Sequence, residues 1–437
     1  MSNATSDNPL EGIARLHAAA SPRLRGGSGW QRRRDDALAR LLERGLPDRR
    51  DENWKYLDWP EIQRRQVAPA AAQGAGVPVT SGLLPGLAPE RTIVLADGRF
   101  TAGPHGLPAG VEVEGLAAAL ERDPALLARS LRVPGDGADE RFALLAEAFT
   151  DDGVVIRVAE GIEFAEPLYV VHAGGGVASS TRVLIEAGRN SRLQLVEHFL
   201  QDGGDALSNL DIEVRVADGA RVDHLRLHQQ GPAAAQVETL RVLQARDSRY
   251  RQQLFLLGGR LVRSNLHLRL EGAAAECTLH GLMMVDGVRQ ADLYTVFEHV
   301  AGYTRSEELV RAVATDRGRG AFNGRILVGP GAVKSDSSQS SRNLILSPLA
   351  EINARPQLEI LTDDVKCSHG TTIGSLDAGQ LFYLLSRGID PETARGLLTF
   401  AFCEDVVARV EMPALRRHIE EHVVGRLPDR EIIKEFV

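Results

Sequence analysis

Short runs in which apolar residues recur at every second position dominate the chain from about residue 151 onward. Alternation of this kind places the apolar side chains on one face of an extended segment, so it predicts β-strands. The clearest of these runs are VVIRV, LYVVH, TRVLIEA, RLQLVEHF, LDIEVRV, LVRSNLHLRL and GRILVG.

Turn signals separate these strands at a long and roughly regular period. They occur at Gly188, Gly219, Asp247 and Gly272, at intervals of 31, 28 and 25 residues by subtraction. A β-sandwich or barrel would show turns every 8 to 12 residues and more tight hairpin dipeptides. Repetition at this longer period without intervening helices is typical of a solenoid. The sequence therefore predicts a mainly β fold, a parallel β-helix whose stacked coils bury a continuous core.

Helical patterns flank this region on its N-terminal side. Residues 8–65 carry apolar side chains at helical spacing, and Gly45 followed by Pro47 predicts the end of a helix. Residues 115–149 return to helical spacing after a short strand, TIVLADGRF, that ends at an Asp-Gly turn. Between them, residues 66–90 are rich in Ala, Gly and Pro, which predicts a linker.

Three further helices are predicted after residue 374. Asp377 is a candidate N-cap of the first helix, and Gly388 is suited to end it. The second helix is predicted to begin at Asp390 and the third at about Pro413. Their apolar faces have two possible roles, to close the last coil or to bind another subunit.

These patterns divide the chain into four predicted segments. They are an N-terminal helical domain at 1–65, a linker and mixed α/β segment at 66–149, a parallel β-helix core at 150–374 and a C-terminal helical domain at 375–437. A chain of 437 residues is long for one hydrophobic core, which agrees with several structural units.

Charge and composition narrow the possible partners and compartment. The formal net charge of −8 argues against nucleic acid as the main partner, because phosphate binding depends on clustered Lys and Arg. The N-terminus lacks a signal-peptide pattern and no stretch approaches the ~20 apolar residues of a membrane span, so a cytoplasmic protein is expected. Cys277, Cys367 and Cys403 are too few for a disulfide framework, and reduced thiols are expected.

An aromatic cluster and a lysine-containing turn suggest functions that their surroundings do not support. Trp54, Tyr56 and Trp59 lie within ENWKYLDWP without a basic excess, so packing or a partner surface is favoured over base stacking. The run GPGAVKS at residues 329–335 has Val333 where a phosphate-binding loop needs glycine, so the chain is not expected to bind ATP itself.

The strongest candidate site is DVKCSHGTTIG at residues 364–374. In an extended strand, Cys367 and His369 share one face because they are two residues apart. Lys366 and His369 are expected to lower the thiol pKa and favour the thiolate, which is the form that binds metals. Two ligands are too few for a closed zinc site, so further ligands would come from elsewhere, including a second chain. From spacing alone, metal ligation or sulfur handling, hydrolytic catalysis and a structural strand end all stay open.

Other cysteines and histidines have simpler interpretations. Cys277 is predicted to lie in the core, because its odd spacing from His280 puts the two on opposite faces of a strand. Cys403 lies on an apolar helix and is also predicted to be buried. His224 and His228 share one strand face, where a solvated ladder is favoured over a metal site.

The stretch RNLILSPLAEINARPQLEILTDDVKCSHGTTIGSLDAGQLFYLLSRGI strongly resembles the SufB/SufD family of iron-sulfur cluster assembly proteins. DLYTVFEH, YTRSEELVRAV and FNGRILV extend the resemblance over about residues 140 to 410. The N-terminal GLPDRRDENWKYLDW resembles the SufD branch of this family. The resemblance implies a right-handed parallel β-helix between N-terminal and C-terminal α-helical domains.

The resemblance also implies a function, which is that of a non-enzymatic scaffold in iron-sulfur cluster assembly. It implies pairing with SufB through the β-helix and docking of the SufC ATPase on the C-terminal helical region. Cys367 and His369 match the family's Cys-x-His positions, which implies that they bind a transient iron-sulfur cluster shared with SufB. A homodimer is expected to be possible without SufB. The alternatives are a homodimeric β-helix metal-binding protein and a carbohydrate-active β-helix enzyme.

Overall fold

The computed structural model describes residues 9–68, 82–126, 140–174 and 176–433. The fold is mainly β, with 43% strand and 25% helix, and forms a parallel β-solenoid of about eight turns between N-terminal and C-terminal helices. This confirms the predicted fold class. Residues 69–81 of the predicted linker and residues 127–139 of the predicted helical stretch lie outside the described ranges.

Each coil of the solenoid gives one strand to each of two sheets. One sheet of ten strands has the order β19-β17-β15-β13-β11-β9-β7-β5-β1-β2, and one of nine strands has the order β18-β16-β14-β12-β10-β8-β6-β4-β3. Strands β1 to β19 span Thr92–Ala96, Arg99–Ala102, Val111–Gly115, Asp152–Val158, Glu163–Ala173, Ser179–Ala187, Arg192–Phe199, Gly203–Val216, Arg221–His228, Ala233–Gln244, Arg249–Leu256, Leu261–Leu270, Glu276–Val285, Gln290–His299, Arg305–Ala314, Arg319–Val328, Asp336–Ile345, Glu351–Ile360 and Lys366–Gly374.

Helices lie before, beside and after these strands. Helices α1 to α9 span Pro9–Ala20, Ser28–Arg44, Trp59–Gln63, Leu116–Arg122, Arg141–Phe149, Ala378–Ser386, Pro391–Val407, Pro413–Val424 and Arg430–Ile433. Gly45 ends α2 with a positive φ, as the sequence predicts. Asp390 caps α7 by accepting hydrogen bonds from the backbone amides of Glu392 and Thr393.

The interior of the solenoid is filled by the inward-facing member of each alternating pair. Parallel register stacks equivalent positions of successive coils, so that Val222, Tyr250 and Cys277 form one continuous buried row. Cys277 is therefore a core residue, as predicted. The corners between strands leave little room for side chains. A Cβ at Gly272, for example, would overlap the backbone of the preceding coil at Arg246.

The outer face of the nine-stranded sheet is covered by N-terminal helices. Trp54 is fully buried, and its ring stacks on that of Phe142 at a centroid distance of 5.0 Å. Trp59 is also buried beside it, 5.8 Å from Trp54 between ring centroids. The aromatic cluster thus packs the helical layer against the sheet, which confirms that interpretation of ENWKYLDWP.

The outer face of the ten-stranded sheet is covered by α7, α8 and α9. Their apolar side chains, including Cys403 and Ile419, form one buried cluster with the outward-facing residues of this sheet, such as Phe255. Cys403 is therefore buried, as predicted. These helices lie along the side of the solenoid, so they leave its last coil open.

Neutral histidines line the contact between α8 and the sheet. The side-chain oxygen of Gln229 accepts hydrogen bonds from His198 at 2.8 Å and from His418 at 3.2 Å. Burial lowers the pKa of His198 to about 3, and burial together with the neighbouring Arg426 lowers the pKa of His422 to about 4. These imidazoles therefore stay uncharged at neutral pH.

Acidification is expected to weaken this contact. The unfolded chain takes up protons near the ordinary histidine pKa of about 6.5, whereas the folded chain does so only near pH 3 to 4, so stability falls as pH drops through this window. Each such histidine contributes at most about 1.4 kcal/mol per pH unit. Urea unfolding at pH 7 and pH 5 should show a smaller loss for His422→Leu than for the wild-type chain. An equal loss in both would assign the pH dependence to other groups.

A charged network occupies the interior of the early coils. Arg226 forms a bidentate pair with Glu238 at 3.0 and 2.9 Å and also donates to Glu197 at 2.9 Å. His224 contacts Glu197 at 3.0 Å, and the ring of His228 stacks on that of Phe199 at 4.1 Å. The predicted solvated ladder at His224 and His228 is therefore wrong, because both face the solenoid interior, where they are completely buried.

Candidate functional site

The predicted site lies in the last coil of the solenoid, on β19. Cys367 pairs in register with Ser337 of β17, and His369 pairs with Gln339. Ser337 and Gln339 are both buried inward-facing residues, so Cys367 and His369 belong to the rows that point inward. The structure thus places the two predicted ligands on one strand face, as their spacing predicts. Cys367 is half-buried and His369 is exposed.

The site is exposed because the solenoid ends there. At this end of the solenoid, β18 and β19 are the last strands of their sheets, and no described strand pairs beyond them. Apolar side chains are exposed around this edge, which we call the open end and define as β18, β19 and the loop between them. They include Ile360, Leu361 and Ile373, at 42%, 54% and 45% exposure. An uncovered strand edge with apolar side chains is a surface suited to pairing with another chain.

The electrostatic environment of the thiol differs from the prediction. Burial raises the pKa of Cys367, and Asp336 raises it further, while a hydrogen bond with the backbone of Ser337 acts in the opposite direction. The expectation that Lys366 and His369 would favour the thiolate is therefore wrong for the chain alone. A bound metal ion would have to displace the thiol proton, since the thiolate is the metal ligand.

Buried polar side chains of the preceding coils lie in the same inward-facing rows as Cys367 and His369. The hydroxyl groups of Ser306 and Ser337 hydrogen-bond at 2.6 Å, and Ser306 also contacts the ring of His299 at 2.9 Å. In the neighbouring row, Gln339 donates to the carboxyl group of Glu308 at 2.6 Å. Sequence reasoning missed these residues, although Ser337 and Gln339 occupy alternate positions in the serine-rich strand DSSQSS. That run was a signal of polar side chains on the inward face.

The chain supplies an incomplete set of metal ligands at the open end. Among residues 9–68, 82–126, 140–174 and 176–433, no group of three or more His, Cys, Asp or Glu residues is close enough to hold a metal ion. Cys367 and His369 offer one sulfur and one nitrogen, both ligand types suited to iron or zinc. A stable metal centre would need ligands from another molecule.

Other candidate features of the sequence have structural roles. The ammonium group of Lys334, in the GPGAVKS turn, lies 2.6 Å from the carboxylate of Asp364. Cys277 and Cys403 are fully buried, and burial raises the pKa of both thiols well above the ordinary value. Across the described part of the chain, no helix is long and apolar enough to cross a membrane.

The fold and the site together define a parallel β-solenoid protein with a thiol and an imidazole at an open end. The sequence of residues 169–402 matches the family described as SUF system FeS cluster assembly, SufBD core domain, and residues 27–170 match the SufBD protein N-terminal region. The chain belongs to the SufBD family of SUF-system iron-sulfur cluster assembly proteins and is of the SufD type. The predicted resemblance is thereby confirmed.

Individual relatives support this assignment along most of the chain. The iron-sulfur cluster assembly protein SufD of Escherichia coli is 29% identical over 90% of this chain and 92% of its own length. Protein ABCI7, chloroplastic, of Arabidopsis thaliana is 30% identical over 91% of this chain and 86% of its own. SufD of Bacillus subtilis is 26% identical over 64% of this chain and 65% of its own.

Proposed function

We propose that this chain is a cytoplasmic, non-catalytic scaffold subunit of a SUF complex, and that it shares a nascent iron-sulfur cluster with SufB. In this proposal Cys367 and His369 bind the cluster, which is the cargo of the complex. The observation that carries the proposal is the position of both side chains on one strand face at the open end. A pairing chain would cover these two ligands and could supply the missing ones.

The proposed contact with SufB uses the open end itself. The backbone of β18 and β19 has no further strand to pair with among the described residues, and a second solenoid would continue both sheets. Burial of Ile360, Leu361 and Ile373 would favour this association. A second copy of this chain fits the same surface in the absence of SufB, which would place two Cys367 and His369 pairs at one junction.

The proposed contact with the SufC ATPase uses the C-terminal helical region. Helix α6 has no buried residue, and its apolar side chains Phe382 and Tyr383 are 71% and 56% exposed. Large exposed aromatic residues of this kind are common anchors of protein interfaces. SufC docking there would leave α7 and α8 packed on the solenoid, where one face of each helix is already buried.

Anaerobic reconstitution with the SufB and SufC counterparts tests the shared site. Iron content and visible absorption are compared for the wild-type complex and for variants with His369→Ala, Cys367→Ala and Ser368→Ala. Ser368 is the matched control, because it lies between the two ligands on the opposite strand face. We expect His369→Ala to abolish cluster loading while the complex still assembles, and Ser368→Ala to load normally. Full loading of both ligand variants would make this chain an architectural partner whose cluster ligands lie on SufB.

A further inference from the structure

A buried carboxyl group lies two strands before His369 in the same inward-facing row. Register pairs Glu308 with Gln339 and Gln339 with His369. Glu308 accepts hydrogen bonds from the hydroxyl group of Thr295 at 2.7 Å and from the amide of Gln339 at 2.6 Å. Burial raises the pKa of Glu308 to about 7, and neither contact brings a positive charge. Glu308 therefore acts in the row through hydrogen bonds.

These contacts fix the orientation of the Gln339 side chain. Its amide nitrogen donates a hydrogen bond to Glu308. The amide oxygen is therefore left for the side of the row that leads to His369. Gly324 on the opposite sheet leaves room for this amide, because a Cβ there would overlap it. Gln339 is 2% exposed, and its side-chain oxygen has no hydrogen-bond partner within the described chain. The Gln339 oxygen is therefore available to accept a hydrogen bond from a group that approaches along the row.

His369 is the residue that follows Gln339 in the row. Neighbouring strands lie about 4.7–4.9 Å apart, a separation that two facing side chains readily span. A histidine that binds a metal through one ring nitrogen almost always donates the N–H of the other nitrogen to a fixed acceptor. This bond sets the tautomer and the direction of the ring. The Gln339 oxygen is an acceptor of that kind, because the hydrogen bond from the Gln339 amide nitrogen to Glu308 fixes the side chain.

We propose that Gln339 is the positioning residue of His369. When a partner covers the open end, the Gln339 oxygen accepts the N–H of one ring nitrogen and leaves the other nitrogen free to bind iron. Glu308 acts one step further away, because it holds the amide nitrogen of Gln339 and so leaves the amide oxygen for His369, and Thr295 acts through its hydrogen bond to Glu308. This inference rests on the proposed function in one respect, the use of His369 as a cluster ligand.

The test uses the reconstituted complex with its SufB and SufC counterparts. Two quantities are measured, the half-life of the bound cluster against an iron chelator and the histidine nitrogen coupling in pulsed electron paramagnetic resonance of the reduced cluster. We expect Gln339→Leu to shorten the half-life about 10- to 100-fold and to alter the nitrogen coupling. Gln252→Leu is the matched control, because it makes the same change in the same buried row three strands earlier.

A pair of variants at Glu308 separates orientation from folding. Glu308→Gln keeps an acceptor for the Gln339 amide and should retain the wild-type half-life, whereas Glu308→Leu removes the acceptor and should behave like Gln339→Leu. Thermal unfolding of each variant identifies any that fails to fold, and the Glu308 pair then carries the test. A wild-type half-life and nitrogen coupling in both leucine variants would overturn the proposal.

His369→Ala, measured alongside, distinguishes the two levels of inference. If it abolishes the nitrogen coupling while Gln339→Leu has no effect, His369 is a ligand and only the role of Gln339 is refuted. If His369→Ala leaves the coupling and the loading unchanged, the shared site fails and the positioning role fails with it. The expected result is loss of the cluster, and with it of the coupling, with His369→Ala, and a cluster that still loads with an altered coupling with Gln339→Leu.

Discussion

Replacing Arg226 by methionine is expected to destabilise the fold by about 3–5 kcal/mol, because it leaves two buried carboxylates without their cation. Burial alone would raise the pKa of Glu197 and Glu238, yet Arg226 holds both below the ordinary value. All three side chains are completely buried. Methionine keeps much of the volume of arginine, so the loss comes from the unpaired charges rather than from a cavity.

Urea unfolding of a graded set of variants measures this effect. Arg226→Lys keeps the charge but loses the two-pronged contact with Glu238, so an intermediate loss is expected. Arg305→Met is the exposed control, because Arg305 and Asp336 are a surface pair with side chains 67% and 46% exposed. Such pairs contribute about 0–1 kcal/mol. A loss below 1 kcal/mol for Arg226→Met would show that the buried carboxylates find other partners.

The solenoid was predictable because its coils repeat a simple pattern, but the contents of its interior were not. Alternation indicates that a strand has two different faces, but it does not tell which face points into the solenoid. The central strands are buried on both faces, by the solenoid interior on one side and by helices on the other. In β9, Leu225 packs under the C-terminal helices while Arg226 points into the solenoid. A charged residue beside an apolar one is ordinarily read as the solvent-facing member of the pair. His224 and His228 were misinterpreted for this reason.

The candidate site was predictable only as far as its own strand. Cys367 and His369 share a face because of local geometry, which depends on two residues of spacing. The groups that change the thiol pKa and surround the imidazole lie on earlier coils, and the strand register brings them next to Cys367 and His369. Asp336 raises the thiol pKa from the preceding coil, and Gln339 and Glu308 lie below His369 in its row. Register across coils is set by the whole repeat, so no short motif reveals these neighbours.

The second large effect is expected at Trp54, which fastens the N-terminal helical layer to the solenoid. Trp54→Ala should cost about 3–5 kcal/mol, as is typical for a large aromatic side chain removed from a core. The indole stacks on Phe142 and also covers the guanidinium group of Arg263, whose carbon lies 4.4 Å from the ring centroid. Arg263 in turn pairs with Asp292 at 2.7 Å, and both are buried on the outer face of the nine-stranded sheet.

The loss at Trp54 should therefore have two parts, a cavity beside Phe142 and water access to the Arg263 and Asp292 pair. Urea unfolding measures the total, and limited proteolysis under native conditions should show earlier cleavage within residues 9–68. Tyr56→Ala is the matched control, because Tyr56 lies two residues away and is only partly buried. Equal losses in the two variants would contradict a specific role for Trp54. A large loss in Trp54→Ala alone would show that Trp54 contributes specifically to the packing of the helical layer on the solenoid, since the rest of the segment is unchanged.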